Sequence, residues 1–179
     1  MLTAAEIAEA RAYAVGALAA AGVVLTEAEQ ADLEVSDFGL SDLARTGLQL
    51  VVYVDTARVC AKEMVLRPGQ TCPEHVHVGE GTEEGKEETF RVRAGEVWLY
   101  VEGDPTPNPR AVPPRPAYCT AWHEIVLRPG EQHTILPGTK HWFQAGPDGA
   151  VVSEFSTRST DERDVFTDPD IRRVTVVAD

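Results

Sequence analysis

The stretch CPEHVHVGEGTEEGKEETFRVRAG, residues 72–95, constrains this chain more than any other part of it. His75 and His77 are one residue apart, and on an extended strand side chains two apart point the same way. The pair therefore aims two imidazoles at one point, and a neighbouring strand can aim a carboxylate there. Two glutamates compete for that place. Glu88, Phe90 and Val92 share one parity of an alternating segment, while Glu87, Thr89, Arg91 and Arg93 share the other. The second set is polar and reads as the solvent face, so the first faces inward. A buried carboxylate needs a partner such as a metal ion, which selects Glu88. Imidazoles with a carboxylate suit a divalent first-row metal, and a set that leaves coordination positions open suits catalysis. The expectation is a metal site inside a small β-barrel. The bland reading of the same residues is a surface hairpin with incidental histidines.

A chain of 179 residues is most simply one domain with a full core. The expected division is helices and a loop over residues 1–47, then a barrel and C-terminal extension over 48–179. The net charge of −13 makes a nucleic-acid backbone or an anionic membrane surface an unfavourable partner. No apolar run approaches the roughly 20 residues of a membrane span, and no basic segment followed by an apolar run marks a secretory signal. Cys60, Cys72 and Cys119 are odd in number and form no CxxC pair. They read as reduced thiols of a cytoplasmic protein. Cys72 lies close enough to the histidines to be an accessory ligand, although a small packed residue is the simpler reading.

Residues 3 to about 22 read as a helix, because Thr3 with Glu6 makes a capping box, the run that follows is rich in alanine, and Gly22 is a natural stop. Thr26 with Glu29 repeats the capping signal for a shorter helix to about Val35. From Leu48 the period changes to that of strands: LQLVVYVD, RVCAKEMVL, the His-x-His segment, GEVWLYV, HEIVL, QHTIL, HWFQA and AVVSEFS, with VTVV as a final candidate. The acidic run 79–87 reads as an exposed loop, and the proline-rich 104–116 as an extended one. An internal echo ties the strands together. EMVLRPG at 63–69 recurs as EIVLRPG at 124–130, each a strand ending in the same turn and each followed by histidine. Two related hairpin units of this kind fit a double-sheet jelly roll.

At this point the sequence resembles the cupin superfamily. Gly69, His75-x-His77, Glu88 and Gly95 follow its first motif with a longer insert before the glutamate, and Gly130 followed by His141 follows its second. Pro137 and Gly138 sit one position out from the usual places, and Ala145 stands where asparagine is common. The resemblance implies a mainly β, cupin-type jelly-roll barrel with N-terminal α-helices, and a metal set of His75, His77, Glu88 and His141. His133 competes for the role of His141, and His123 is the remaining histidine. The donor set admits manganese, iron, cobalt, nickel or zinc.

A finer resemblance rests on DFGLSDLARTGLQLVVYV, RVCAKEMVLRPGQTCPEHVH, KEETF, HWFQAGPDGAVVSEFST and DVFTDP, which together cover most of the chain from Ser36 to Pro169. These segments resemble the D-lyxose ketol-isomerase family of cupin sugar isomerases. The resemblance implies a manganese-preferring, homodimeric enzyme that interconverts D-lyxose and D-xylulose and acts on related aldoses such as D-mannose. It implies Glu154 as the catalytic base and Lys62 as a catalytic group that hydrogen-bonds substrate oxygens. Lys62 shares the parity of Met64 and Leu66 and so points inward. On pattern alone Glu154 is a strand-end surface residue and Lys62 can snorkel to solvent. Glu88 is expected to face substrate as well as metal. Asp164 is expected either on sugar hydroxyls or in a cap or turn, and Trp142 and Phe143 in the core or as an apolar wall. Two rival activities fit the same motif: an iron-dependent cupin dioxygenase and a non-catalytic sugar-binding cupin. An inward lysine and glutamate favour the isomerase, since an oxygenase needs no proton-shuttling pair. The sequence leaves open an enediol or a hydride-shift route, and Arg91, Arg93 and Arg158 keep a phosphorylated sugar in view.

Overall fold

The structure, a computed structural model, describes residues 1–175, 177 and 178. A two-residue strand β1 (Leu2–Thr3) leads into helix α1 (Ala4–Ala20), and helix α2 follows at Glu27–Asp32. Both helices carry full capping boxes, Thr3 with Glu6 and Thr26 with Glu29. Gly22, at φ +78°, turns the chain out of α1. Ala10, Ala14 and Leu18, spaced four apart, form the buried stripe of α1. The second helix stops at Asp32 rather than Val35. The following residues, β2 (Glu34–Ser36), pair antiparallel with β3 (Leu48–Asp55), so tertiary pairing overrides the helical signal.

The remaining strands are β4 (Cys60–Leu66), β5 (Thr71–Val76), β6 (Glu88–Val101), β7 (His123–Leu127), β8 (Gln132–Ile135), β9 (His141–Ser156), β10 (Val165–Phe166) and β11 (Val177–Ala178). Of the expected VTVV strand, Val176 lies outside the described residues; Val177 and Ala178 pair parallel with Leu2 and Thr3. Segments expected as separate strands merge into two long ones. β6 unites ETFRV with GEVWLYV, and β9 unites HWFQA with AVVSEFS. These two pair antiparallel from Glu88–Ser156 to Val101–His141. Both bend midway, and each contributes one end to each half of a curled sheet. One half runs β2, β3, β4, the later part of β9, the early part of β6, then β8; the other runs β10, β5, the early part of β9, the later part of β6, then β7.

The bend explains one glycine. Gly95 has φ +73°, and a Cβ there would collide with the carbonyl oxygen of Gly149 on the partner strand. Gly95→Ala is therefore expected to destabilise the protein by about 3 kcal/mol, from left-handed backbone strain plus the forced separation of two strands. At roughly 2–4 °C per kcal/mol for this size, a melting curve should shift down by roughly 6–12 °C.

Three apolar layers follow from this wrapping. The two halves enclose Leu50, Met64, Leu66, Phe90, Val92, Val97, Leu99, Phe143 and Val152. Helix α1 covers the outer face of the first half, packing its stripe on Val51, Val65 and Val151. The proline-rich loop covers the outer face of the second half, where Tyr100 and Trp142 stack at 4.2 Å with Ala111 and Ala121 beside them. The loop is tied down by Gln144, whose amide oxygen accepts from Val112 N–H at 3.0 Å. The echoed RPG turns are alike in the fold: Gln70 N–H donates to Arg67 O, and Glu131 N–H to Arg128 O. Architecture and patterning agree on a mainly β cupin-type barrel with N-terminal helices. Among the described residues, no helix is long and apolar enough to cross a membrane.

Candidate metal centre and its acid–base pocket

His75 and His141 face one another across the β5–β9 ladder, His77 follows directly after β5, and Glu88 opens β6. A ligand atom from each of the four lies within 4.8 Å of the others, and all four side chains are buried. Each histidine is held by its Nδ1: His75 on Pro73 O at 2.8 Å, His141 on Thr139 O at 3.0 Å, and His77 on Asp164 Oδ1 at 2.5 Å. Because all three partners are acceptors, Nδ1 carries the proton in each ring, and Nε2 is the nitrogen turned toward the centre. Glu88 Oε1 lies 3.2 Å from His77 Nε2 and 3.0 Å from His141 Nε2, without the alignment of a hydrogen bond. Those three buried atoms consequently have no hydrogen-bond partner. Atoms that converge on a point rather than on one another fit a shared cation, and a nitrogen–oxygen set without thiolate fits a divalent first-row ion.

The electrostatics are of the same kind. Burial, with His141 and His77 beside it, pushes His75 well below the usual histidine range, so its ring is neutral. His77 is also disfavoured as a cation by burial, but Asp164 and Glu88 outweigh this and raise it to about 9. The extra proton belongs on Nε2, the atom that would have to give it up for His77 to serve as a ligand.

A second group of charges shares the cavity. Lys62, Lys86, Glu88 and Glu154 are only 2–4 % exposed, and with Asp161 and Arg173 they line one space next to His75 and His77. Phe38, Phe90, Phe143 and Phe166 make its apolar side. Lys62 and Glu154 are register partners on β4 and β9, and Glu154 is in turn opposite Phe90 on β6, so all three occupy one inward row. Lys62 Nζ lies 2.5 Å from Asp161 and 3.7 Å from Glu154. Lys86 Nζ bridges Glu88 at 2.8 Å, Asp161 at 3.0 Å and Glu154 at 3.2 Å. Burial alone would favour loss of the lysine protons. The surrounding carboxylates outweigh it and hold both ammonium groups above the usual lysine range. The same pairing keeps Asp161 and Glu88 ionised. Arg173 reaches Asp161 at 3.5 Å and Glu34 at 2.5 Å.

The expected residues fall into place unevenly. His75, His77, Glu88 and His141 come together, and Lys62 and Glu154 join the adjoining pocket. Asp164 lines that pocket too, with one oxygen committed to His77. His133 is half-buried opposite Phe90 on β8, and His123 is exposed; neither reaches the cluster. Cys72 is a buried lining residue whose thiol is pushed well up by burial, and it packs rather than ligates. Phe143 forms cavity wall, whereas Trp142 faces the other way onto Tyr100. Arg91 and Arg93 bond Gln132 and Ser153 at positions of outward parity. Three charged residues of the pocket were not expected from the sequence: Lys86, Asp161 and Arg173. Lys86 is also a correction, since it lies in a run expected to be exposed.

The chain is 55% identical over 181 residues to the D-lyxose/D-mannose isomerase of Thermosediminibacter oceani, covering 100% of both chains. It is 60% identical over 159 residues to the D-lyxose ketol-isomerase of Cohnella laeviribosi, covering 88% of this chain and 87% of that one. No family model matches the chain. Among solved structures, the L-ribose isomerase of Acinetobacter sp. DL28 in complex with L-ribose superposes with a TM-score of 0.84 at 19% identity, over 99% of this chain and 98% of that one. The L-ribose isomerase of Cellulomonas parahominis gives 0.82 at 19% identity, with the same coverage. At that distance the likeness establishes the fold alone. The two sequence relatives carry more, because 55% and 60% identity over most of both chains is far above that distance: the chain belongs to the D-lyxose ketol-isomerase family.

Proposed function

We propose that the protein is a metal-dependent aldose–ketose isomerase that interconverts D-lyxose and D-xylulose, with D-mannose and D-fructose as a second pair. The observation that carries this reading is the junction of two unlike sites. Three Nε2 atoms and one carboxylate oxygen converge on a point, and a buried lysine–glutamate group stands beside them in the same cavity. His75, His77, Glu88 and His141 would hold the ion, with Mn²⁺ the preferred occupant. Once bound, it supplies a Lewis acid for the adjacent oxygens on C1 and C2 of the sugar. Glu154 removes the proton from C2 of the aldose and returns it to C1, while the O2 hydroxyl proton passes to O1. Lys62 and Lys86, charged and dry, donate to the sugar oxygens and steady the negative charge of the enediol stage. Their burial holds them in position and keeps water from competing for those oxygens.

The same reading takes the chain as one domain acting in the cytoplasm as a homodimer. Tyr53, Val54, Val59 and Phe155 leave an apolar patch on the outer face of the first half-sheet, which supports a second copy as the partner. Nothing in the cavity calls for a phosphorylated sugar. Lys62, Lys86 and Arg173 are already matched by Glu88, Glu154, Asp161 and Glu34.

The test is chelator-stripped protein, reloaded with Mn²⁺ and incubated with D-lyxose in deuterated water. Xylulose is expected only after reloading, with solvent deuterium on C1. Conversion without deuterium would replace the exchanging base by a hydride shift or a shielded proton. Failure to convert D-lyxose, D-mannose or their ketoses would overturn the activity.

A further inference from the structure

We propose that Glu74 is a positioning residue for the metal centre: its side-chain clamp on Thr167 fixes Asp164 against His77. Glu74 sits beside His75 at an irregularity in β5, where the register with β9 shifts between Cys72 and His75. Its buried carboxylate takes four hydrogen bonds. Thr167 Oγ1 donates to Oε1 at 2.6 Å and Thr120 Oγ1 to the same oxygen at 2.8 Å. The backbone N–H groups of Thr120 and Ala121 donate to Oε2 at 2.6 and 2.7 Å. Two distant segments are thereby tied to the strand that carries His75 and leads directly into His77.

The segment bearing Thr167 matters for the centre. Strand β10 pairs Val165 with Val76 and Phe166 with His75. The same antiparallel register sets Asp164 opposite His77, where the side chains bond at 2.5 Å, and Thr167 opposite Glu74, where Thr167 N–H donates to Glu74 O at 3.1 Å. Phe166 also lies over His75, with ring centroids 5.5 Å apart. β10 is two residues long and forms the edge of its sheet. So short an edge strand has little hold of its own, and the bond from Thr167 Oγ1 adds a side-chain anchor to the last rung. Without it the 164–167 segment can lift, and His77 loses the acceptor that fixes its tautomer and ring direction. Partners of metal-ligating histidines typically change affinity by about 10–100-fold when removed.

This inference rests on the metal reading of the four-residue cluster, and the experiment separates the two. Thr167→Val and Thr120→Val each delete one hydroxyl donor to the same Glu74 oxygen, one on the metal side and one on the loop side. Mn²⁺ affinity of the stripped proteins is read from the free-ion electron paramagnetic resonance signal, alongside the melting temperature. In metal-free protein, the Nδ1–H resonance of His77 is assigned by its loss in His77→Gln. The expected result is a tenfold or greater loss of Mn²⁺ affinity and a displaced His77 resonance in Thr167→Val. Thr120→Val is expected to keep both within twofold and near the wild-type position, whatever its melting temperature. Equal effects in the two variants, or an unmoved resonance in Thr167→Val, would overturn the proposal by reducing Glu74 to a structural clamp. Wild type that binds no Mn²⁺ would instead overturn the metal reading, and the His77 resonance would still decide the role of Glu74.

Discussion

Replacing Glu154 by glutamine lowers kcat by roughly 10²–10⁴-fold, the usual worth of a positioned general base, while metal content stays at the wild-type level. The side chain is held where a base must be. It projects inward from β9 in the row shared by Lys62 and Phe90, it is buried, and Lys86 lies 3.2 Å from Oε1. Glutamine has the same shape, and its amide oxygen can still accept from Lys86, so packing and the ion site are preserved. What it lacks is the capacity to take a proton from C2 and return it to C1. Steady-state kinetics with D-lyxose, metal analysis and solvent-deuterium incorporation would be run on the same preparation. Loss of exchange together with turnover fits a base; a kcat within about fivefold of wild type, well short of that range, would remove Glu154 from the chemistry.

How much of this was readable beforehand depends on how local each signal is. Alternation over Glu88, Phe90 and Val92 sorted the inward from the outward side of β6, and all three are buried while Arg91 and Arg93 are exposed. The capping boxes placed both helix starts, and Gly22 the end of α1, because those contacts span three or four residues. Lys62 was legible for the same reason as Glu88. Local patterns failed where pairing partners are far apart in the chain. Val35 continues a helical pattern, yet it pairs with Gln49 in a strand.

The missed pocket residues show the same limit from another side. Lys86 has the parity of Glu88, so the argument that selected the glutamate also selects the lysine two positions earlier. The glycine- and glutamate-rich run before it hid that continuity, since β6 begins only at Glu88. Asp161 lies in a short 3-10 turn and Arg173 in irregular chain, where no period exists to be read. Arg173 reaches the pocket because the C-terminal segment folds back, with Arg172 N–H donating to Phe38 O at 2.9 Å and Thr175 Oγ1 to Asp37 at 3.1 Å. Such contacts arise from tertiary closure, and only coordinates expose them.

His141→Ala is expected to abolish activity and to weaken metal binding by more than about 100-fold, beyond the range seen for outer partners of ligating histidines. His141 supplies one of the three orphaned atoms at the centre, and its ring is locked by Thr139 O so that Nε2 has no other use. The variant should nevertheless fold. Alanine leaves Glu88 its contact to Lys86 at 2.8 Å, so that carboxylate is not left without a countercharge. Thermal melting separates lost ligation from lost folding. Metal at a hundred times its dissociation constant stabilises a native protein by about 2.7 kcal/mol, or roughly 5–11 °C for a chain of this size. Wild type should gain that much when Mn²⁺ is added to stripped protein. His141→Ala should melt near the stripped wild type and gain almost nothing at the same concentration. Were the variant to gain the full shift, the ion would be held elsewhere, and the convergence of His75, His77, Glu88 and His141 would lose its meaning as a ligand set.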